Sequence, residues 1–206
     1  MLHEPRDPYG AALFALRRMM RQGRFVWGEP LVIKTLSAEL RLSATPVREA
    51  MACLAGEGLI ERRKGQGYVC PALTAADVID LYDLEWTYVH SALTVHARGT
   101  TSLQKTIAAA GGVSEVRSLF GAIVDHTGNA LLSAAHSRAA ARLDPAYRIL
   151  ERLDIAPAPG ASEMLEVVKK GNLDELARLV AAHHRQRSSH AGDIARMLRR
   201  EAEERI

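Results

Sequence analysis

Apolar spacing along the chain changes character near residue 71. Before that point short helical periods mix with strand-like runs. Leu13, Leu16 and Met20 share the inner face of a helix over Ala11 to Gln22, which Gly23 stops. Leu36, Leu40 and Leu42 mark a short helix over Lys34 to Arg41, and Leu42-Ser43-Ala44 makes a tight turn. Val47, Met51 and Leu54 follow at i, i+4 and i+7, so a second helix buries them together. Ser43 or Thr45 caps it, and Pro46 fits the first turn, where its missing N–H has no intrahelical partner. Leu31-Val32-Ile33 reads as a strand. Leu59 to Arg63 and Gly67 to Cys70 read as two more, joined through Lys64-Gly65-Gln66 into a hairpin.

After Pro71-Ala72-Leu73 the period is helical throughout. Thr74 caps a helix with Asp77 three residues on, and Val78, Leu81, Tyr82, Val89, Ala92 and His96 form its stripe as far as Ala97. His96 there reads as a core histidine. Further helices are expected over 103–110, from Ser114 to Gly128, from Asn129 to Leu143, and again from Asp144-Pro145. Ala156 to Gly160 is a break. Ser162 then caps a helix up to Gly171, and Asn172 with Glu175 starts the last long one, with Leu173, Leu176, Val180 and His183 inside. The fold class is therefore mainly α. Residues 1–71 form a winged helix-turn-helix with a small β hairpin, behind a polar arm over residues 1–8, and residues 72–206 form an all-α bundle.

The second helix of the N-terminal domain carries the chemistry. Thr45 and Arg48 are three apart and share a face that excludes Val47 and Met51. The free N–H groups of a helix start favour phosphate, and an arginine there can hold guanine with two hydrogen bonds. A hairpin that follows a helix-turn-helix is a wing. The DNA-contacting set is Lys34, Arg41, Ser43, Thr45, Pro46 and Arg48, with Arg63, Lys64, Gly65, Gln66 and Gly67 in the wing. The competing reading is an ordinary helix pair beside a surface hairpin. Charge favours the DNA-binding reading without excluding a solvated basic surface. Residues 1–70 hold 11 Lys and Arg against 7 Asp and Glu, while the remainder holds 16 against 17. The positive excess lies wholly in the part that would meet phosphate. Arg17, Arg18, Arg21 and Arg24 give the first helix a basic edge, read mostly as solubility.

The remaining composition narrows the classes. A chain of 206 residues, 48% hydrophobic and 25% charged, is large enough for one big or two small cores. Cys53 and Cys70 have no metal-type spacing and read as small buried apolar residues of a reducing cytoplasm. The first residues lack the apolar core of a signal peptide, and no apolar run reaches membrane length. No phosphate loop, nucleophile motif or dinucleotide turn points to an enzyme.

In order and spacing, several motifs resemble the GntR superfamily of winged-helix transcription regulators. They are Leu16 to Gly23, Gly28 before Leu31, Leu36 to Leu40, Ser43 to Ala50, Leu54 with Glu57-Gly58-Leu59, and Gly65-Gln66-Gly67. The match covers about residues 8–71 and implies a homodimer on a palindromic double-stranded DNA operator. One departure is Ala44, where the family usually has an arginine that helps contact DNA; Arg41, Arg48 and the wing must then carry more. The helical domain looks like the FCD domain of the FadR-like branch through Thr74 to Leu84, Gly128-Asn129 with Leu131-Leu132, and Lys170 to His183. That resemblance implies a small-molecule effector and a ligand-responsive repressor of metabolic genes; the segment between Gly99 and Val116 departs from it by being short, which suggests a truncated helix.

The family's metal ligands do not carry over. Their positions fall on Val116, Phe120 and Ala161, only His183 remains, and the arginine of the family's first bundle helix falls on Glu85. No metal and no cofactor is expected. His183 and His190 share a face and His126 and His136 sit on neighbouring helices, but ligand spacing is missing, so these read as ordinary core and surface histidines. The expected effector pocket is dry: Val89, Phe120 and Leu132 line it, Glu85, His136 and His183 orient the ligand, and an apolar or weakly polar effector suits it. The alternative is a diverged bundle that only dimerises and binds no effector.

Overall fold

The computed structural model describes residues 7–25, 27–98, 103 and 115–204. They divide into two compact units, residues 7–73 together with 195–204, and residues 74–194. The sequence pattern assigns 195–204 to the helical domain, whereas their contacts group them with the N-terminal unit.

In the first unit, helix α1 (Pro8–Arg21) is capped by Asp7, whose carboxylate accepts from Gly10 N–H. Its buried line is Ala12, Leu16 and Met19, at i, i+4 and i+7. The expected Leu13 and Met20 are half-buried, because α1 is rotated to put its small residue, Ala12, inward. Strand β1 (Pro30–Leu31) precedes helix α2 (Ile33–Leu40), and α3 (Ala44–Gly56) packs on both α1 and α2. Val32 and Ile33, expected in the strand, instead cap and open α2. Strands β2 (Glu61–Arg63) and β3 (Gly67–Val69) complete an antiparallel sheet of order β1-β3-β2. Pro30 pairs with Val69, and Arg63 with Gly67. Arg41 ends α2 in the left-handed region at φ 54°, which turns the chain sharply into α3. Cys70 is buried, but Cys53 is only half-buried and its thiol donates to Glu57 at 3.7 Å.

The second unit is helical throughout its described residues. It comprises α4 (Ala75–Arg98), α5 (Val116–Asp125), α6 (Ala130–Arg152), α7 (Ala161–Lys170) and α8 (Leu173–Ser189), and α9 (Ala191–Glu203) begins in it. Helix α4 packs against α5, α6 and α8, so it is the central element. The expected capping box forms: Thr74 N–H and hydroxyl both donate to Asp77, and Asp77 N–H donates back to the Thr74 hydroxyl at 3.1 Å. Leu119, Phe120, Ile123, Met164, Leu176 and Val180 build the core with Val89 of α4. His96 is buried and donates to Ile123 O at 2.8 Å, as its place on the stripe predicts. Of the helix expected over 103–110 only the buried Leu103 is described, and the Ser114 and Gly99 boundaries lie outside the described residues. Glu115 is the N-cap of α5, and Gly160 rather than Ser162 that of α7.

One expectation is overturned. The chain does not restart at Asp144-Pro145; α6 runs through Pro145 as a single helix. Asp144 is engaged by Arg117 instead of capping a new helix. Leu143, Ala146, Tyr147 and Leu150, on both sides of the proline, are buried, and their packing holds the helix continuous. An interior proline costs a helix about 3 kcal/mol and returns about 0.4–1 kcal/mol by stiffening the unfolded chain. Pro145→Ala is therefore expected to raise the unfolding free energy by about 2 kcal/mol, read from the urea midpoint; a lowered midpoint would contradict this account.

Candidate nucleic-acid interface and ligand cavity

The N-terminal unit presents the residues that the sequence singles out. Ser43 is the N-cap of α3 but makes no side-chain cap hydrogen bond. Ser43, Thr45 and Arg48 are exposed at the helix start, and no ion pair among the described residues claims Arg48. Val47, Ala50, Met51 and Leu54 form the opposite, buried side. Pro46 is buried as well, so it shapes the first turn and does not share the exposed face. Lys34 and Arg41 are exposed on α2 and its turn.

Residues 62–67 of the hairpin are all exposed, and Arg62, Arg63, Lys64, Gly65 and Gly67 line one concavity. Gln66 lies at the tip, its N–H donating to Arg63 O. Gly65 and Gly67 have φ 80° and 77°, a conformation that side chains rarely adopt. Two features escape a sequence reading. Arg63 is held by Glu61, two residues back on the same strand face, at 3.0 Å. Arg62 faces the other side and is the wing arginine without such a pairing; the two-residue strand period is the signal that separates them. Arg17 of α1 pairs with Glu57 at 2.5 Å, and Arg24, just after the helix, pairs with Glu39. These two basic side chains brace the unit.

In the helical unit the six expected pocket residues pack against one another, with Phe120 edge-on to His183 at 5.5 Å between ring centroids, and do not line one cavity. Val89 and Phe120 are completely buried in the core, and Leu132 is a half-buried side chain packed against it. Glu85 and His136 lie in a buried polar cluster. Glu85 Oε2 accepts from Tyr147 OH at 3.2 Å and faces His184 Nε2 at 3.2 Å. His184 Nδ1 donates to Val180 O at 2.8 Å. Burial pushes the Glu85 carboxyl up, but the His184 hydrogen bond and charge outweigh it and hold the group below its ordinary range. His136 stays 3.9 Å from Glu85, too far for a hydrogen bond, and burial lowers its basicity. His184, adjacent to the singled-out His183, and Tyr147 are the members of this cluster that the sequence left unnamed.

The cavity lies elsewhere. It has a volume of about 380 Å³ and is lined by the start of α5 (Glu115 to Arg117), the end of α6 (Tyr147, Leu150, Glu151), residues 154–157, Ala161, His183 and Arg187. Of the expected pocket residues only His183 lines it. Two guanidinium groups, Arg117 and Arg187, stand in the wall of this cavity, together with the carboxylates of Glu115, Glu151 and Asp154. Arg117 is bound to Asp144 and lies 4.6 Å over the Tyr147 ring. Val116, Phe120 and Ala161, where the family resemblance would place metal ligands, are buried apolar side chains. Among the described residues no group of three or more His, Cys, Asp and Glu is placed to hold a metal ion. Among them, too, no helix is long and apolar enough to cross a membrane.

A winged helix-turn-helix with an exposed polar recognition-helix start, followed by a helical unit, defines a DNA-binding regulator architecture. Residues 8–69 match the family described as "Bacterial regulatory proteins, gntR family", so this domain is of the gntR type. The chain is 31% identical over 83 residues to the uncharacterised HTH-type transcriptional regulator YdhC of Bacillus subtilis (strain 168), which covers 40% of this chain and 37% of that protein. It is 34% identical over 74 residues to an uncharacterised HTH-type transcriptional regulator in the TAR-I ttuE-ttuC' intergenic region of Agrobacterium vitis, covering 36% and 43%. The matched stretch thus spans about two-fifths of these curated relatives. The family and these relatives are transcriptional regulators, not enzymes. Among solved structures, E. coli McbR/YncC aligns with a TM-score of 0.63 at 19% identity, over 90% of this chain and 97% of that one. Listeria monocytogenes Lar, described as controlling expression of the agr system and mediating virulence, aligns at 0.52 and 14% identity, over 92% and 98%. At these identities the likeness is one of fold.

His183 gives the helical unit a measurable acid sensitivity. Its ring is completely buried, with Nδ1 donating to Pro159 O at 3.0 Å. Burial brings its pKa down from 6.5 to about 4, against the opposing pull of that hydrogen bond. Between these values the unfolded chain takes up a proton that the folded chain refuses, so stability falls as pH drops through this window. The contribution is about 3 kcal/mol. His183→Asn, which keeps a donor for Pro159 and cannot titrate, is expected to lose less stability between pH 6.5 and 4 than the wild type in urea titrations. Equal losses in the two proteins would show that other groups dominate the acid response.

Proposed function

We propose that the protein is a sequence-specific, DNA-binding transcription regulator that acts as a homodimer in the cytoplasm and answers to a small-molecule effector. The observation that supports this best is the exposed Thr45 and Arg48 at the start of α3, beside an exposed basic wing, on a domain of gntR type. An arginine on a recognition helix reads guanine through two hydrogen bonds. Arg62 and Lys64 suit the phosphate backbone, which adds affinity without sequence preference. One winged helix covers too little DNA for high specificity, so a symmetric dimer on a palindrome is the expected assembly. The cavity in the helical unit supports the ligand-responsive reading over one in which the bundle only dimerises. Repression of metabolic genes, and descent from the FadR-like branch with a diverged FCD-type domain, belong to the same proposal.

Selection of binding sites from a random duplex pool with the full chain is expected to yield a palindrome. On that site Arg48→Ala should cost about 1–3 kcal/mol of binding, read by gel-shift titration, with the fold intact because the side chain is exposed. Replacing Arg62 and Lys64 by alanine should weaken specific and non-specific DNA alike, and lower the salt slope by up to about two phosphate contacts. Arg63→Ala should do less, since Glu61 already neutralises it. Unchanged affinity in Arg48→Ala, or selection of no common sequence, would overturn the reading.

A further inference from the structure

Helix α3 carries an acid, Glu49, on the side that it turns away from the core. Thr45, Arg48, Glu49 and Ala52 are exposed, while Val47, Ala50, Met51 and Leu54 are buried. Glu49 follows Thr45 by one turn, and Ala52 follows Arg48 by one turn, so the four share a face. The glutamate therefore stands on the surface that the DNA-binding reading turns toward the duplex.

From β1 to the end of the hairpin, the other acids are paired. Glu39 is bound to Arg24, Glu57 to Arg17 at 2.5 Å and Glu61 to Arg63 at 3.0 Å. The Glu49 carboxylate joins no ion pair and accepts no hydrogen bond among the described residues. A bare carboxylate facing phosphate weakens binding, because like charges repel. A group in the major groove reverses that sign. The N4 amino group of cytosine donates, and a glutamate carboxylate accepts from it. Guanine offers only acceptors at this edge, and thymine an acceptor and a methyl group, so both disfavour the carboxylate. Adenine sets its N6 donor beside the N7 acceptor, a pair that glutamine matches and a carboxylate does not. Ala52, on the same face, has no polar group to compete for the base.

We propose that Glu49 is a specificity-determining residue, which accepts from the N4 amino group of a cytosine in the half-site where Arg48 holds guanine. The proposal rests on the regulator reading and adds to it a second base contact of opposite charge. The carboxylate contributes where cytosine meets it and repels elsewhere along the duplex, so it sharpens the contrast between operator and random DNA.

The test selects binding sites from a random duplex pool with the full chain as wild type, Glu49→Gln and Glu49→Ala. The side chain is exposed, so both variants keep the fold. The wild type is expected to select a C·G pair that Glu49→Gln exchanges for A·T, because glutamine holds adenine through two hydrogen bonds. Glu49→Ala should accept any base at that position. The guanine read by Arg48 should persist in both variants. In gel-shift titrations, changing the selected cytosine to thymine should weaken the wild type about tenfold and leave Glu49→Ala unaffected. Glu49→Ala should also bind non-specific duplex more tightly at low salt, since an anion has left the surface that faces phosphate. Tighter non-specific binding with an unchanged selected site would show that the carboxylate only repels DNA, and would overturn the proposal. One and the same sequence from all three proteins, with equal non-specific binding, would overturn it too and leave the regulator reading standing. If the wild type selects no common sequence, that reading fails and the role of Glu49 fails with it.

Discussion

A fully buried carboxylate sets the arrangement of the helical unit. Glu85 stands in the middle of α4, where water cannot reach it. A carboxylate in such a place must be met by donors, since its solvation is lost and several kcal/mol per ion are at stake. Tyr147 of α6 and His184 of α8 meet it at 3.2 Å each. Three helices are thereby tied in one register by polar contacts, while Phe120 of α5 stacks on His184 with ring centroids 5.1 Å apart. Rotation of α8 by one position would swing His184 about 100° away from Glu85. The apolar core alone would tolerate such slippage better than this cluster does.

The same economy of charge organises the N-terminal unit. Arg17, Arg24 and Arg63 each have a carboxylate beside them. Arg48 is exposed at that start with its donors unclaimed among the described residues. Pairing the bracing arginines lowers the non-specific basic character of the surface and leaves the positive charge where the helix start and the hairpin tip project. Ala44, exposed next to Thr45, removes one further cation from this face.

Much of this was legible in the order of residues. The N-terminal domain is written in local signals: apolar triplets at helical spacing, a proline tolerated in a first turn, and glycines at φ 80° and 77° around the hairpin tip. Each acts over a few residues, so spacing alone suffices to read it. The stripe of α4, the capping box at Thr74 and the N-cap at Asn172 are equally plain. What failed needed tertiary knowledge. Asp144-Pro145 carries the local signature of a helix start, but Arg117, which claims Asp144, is 27 residues earlier. Ala12 rather than Leu13 turns inward because α1 must lie close to α3. The six residues expected to share a pocket lie on four helices, and no periodicity reports whether side chains on four helices meet in a void or in a packed core.

The adjacent histidines show how finely this matters. Successive residues on a helix point about 100° apart, so His183 and His184, although both pack against Phe120, make different hydrogen bonds. His184 faces α4 and satisfies Glu85. His183 donates to Pro159, in the connection before α7, and lines the cavity together with Arg187. Glu85 stands where the family resemblance implies an arginine, and an acid there repels any anionic ligand. The cationic groups of the cavity wall lie instead on α5 and α8, at Arg117 and Arg187. Arg117 is spoken for by Asp144 and Tyr147. Arg187 feels the nearby Glu151 carboxylate but is in no direct ion pair among the described residues, and its position one turn after His183 makes its unbonded Nε and the unbonded His183 Nε2 neighbours on one helix face.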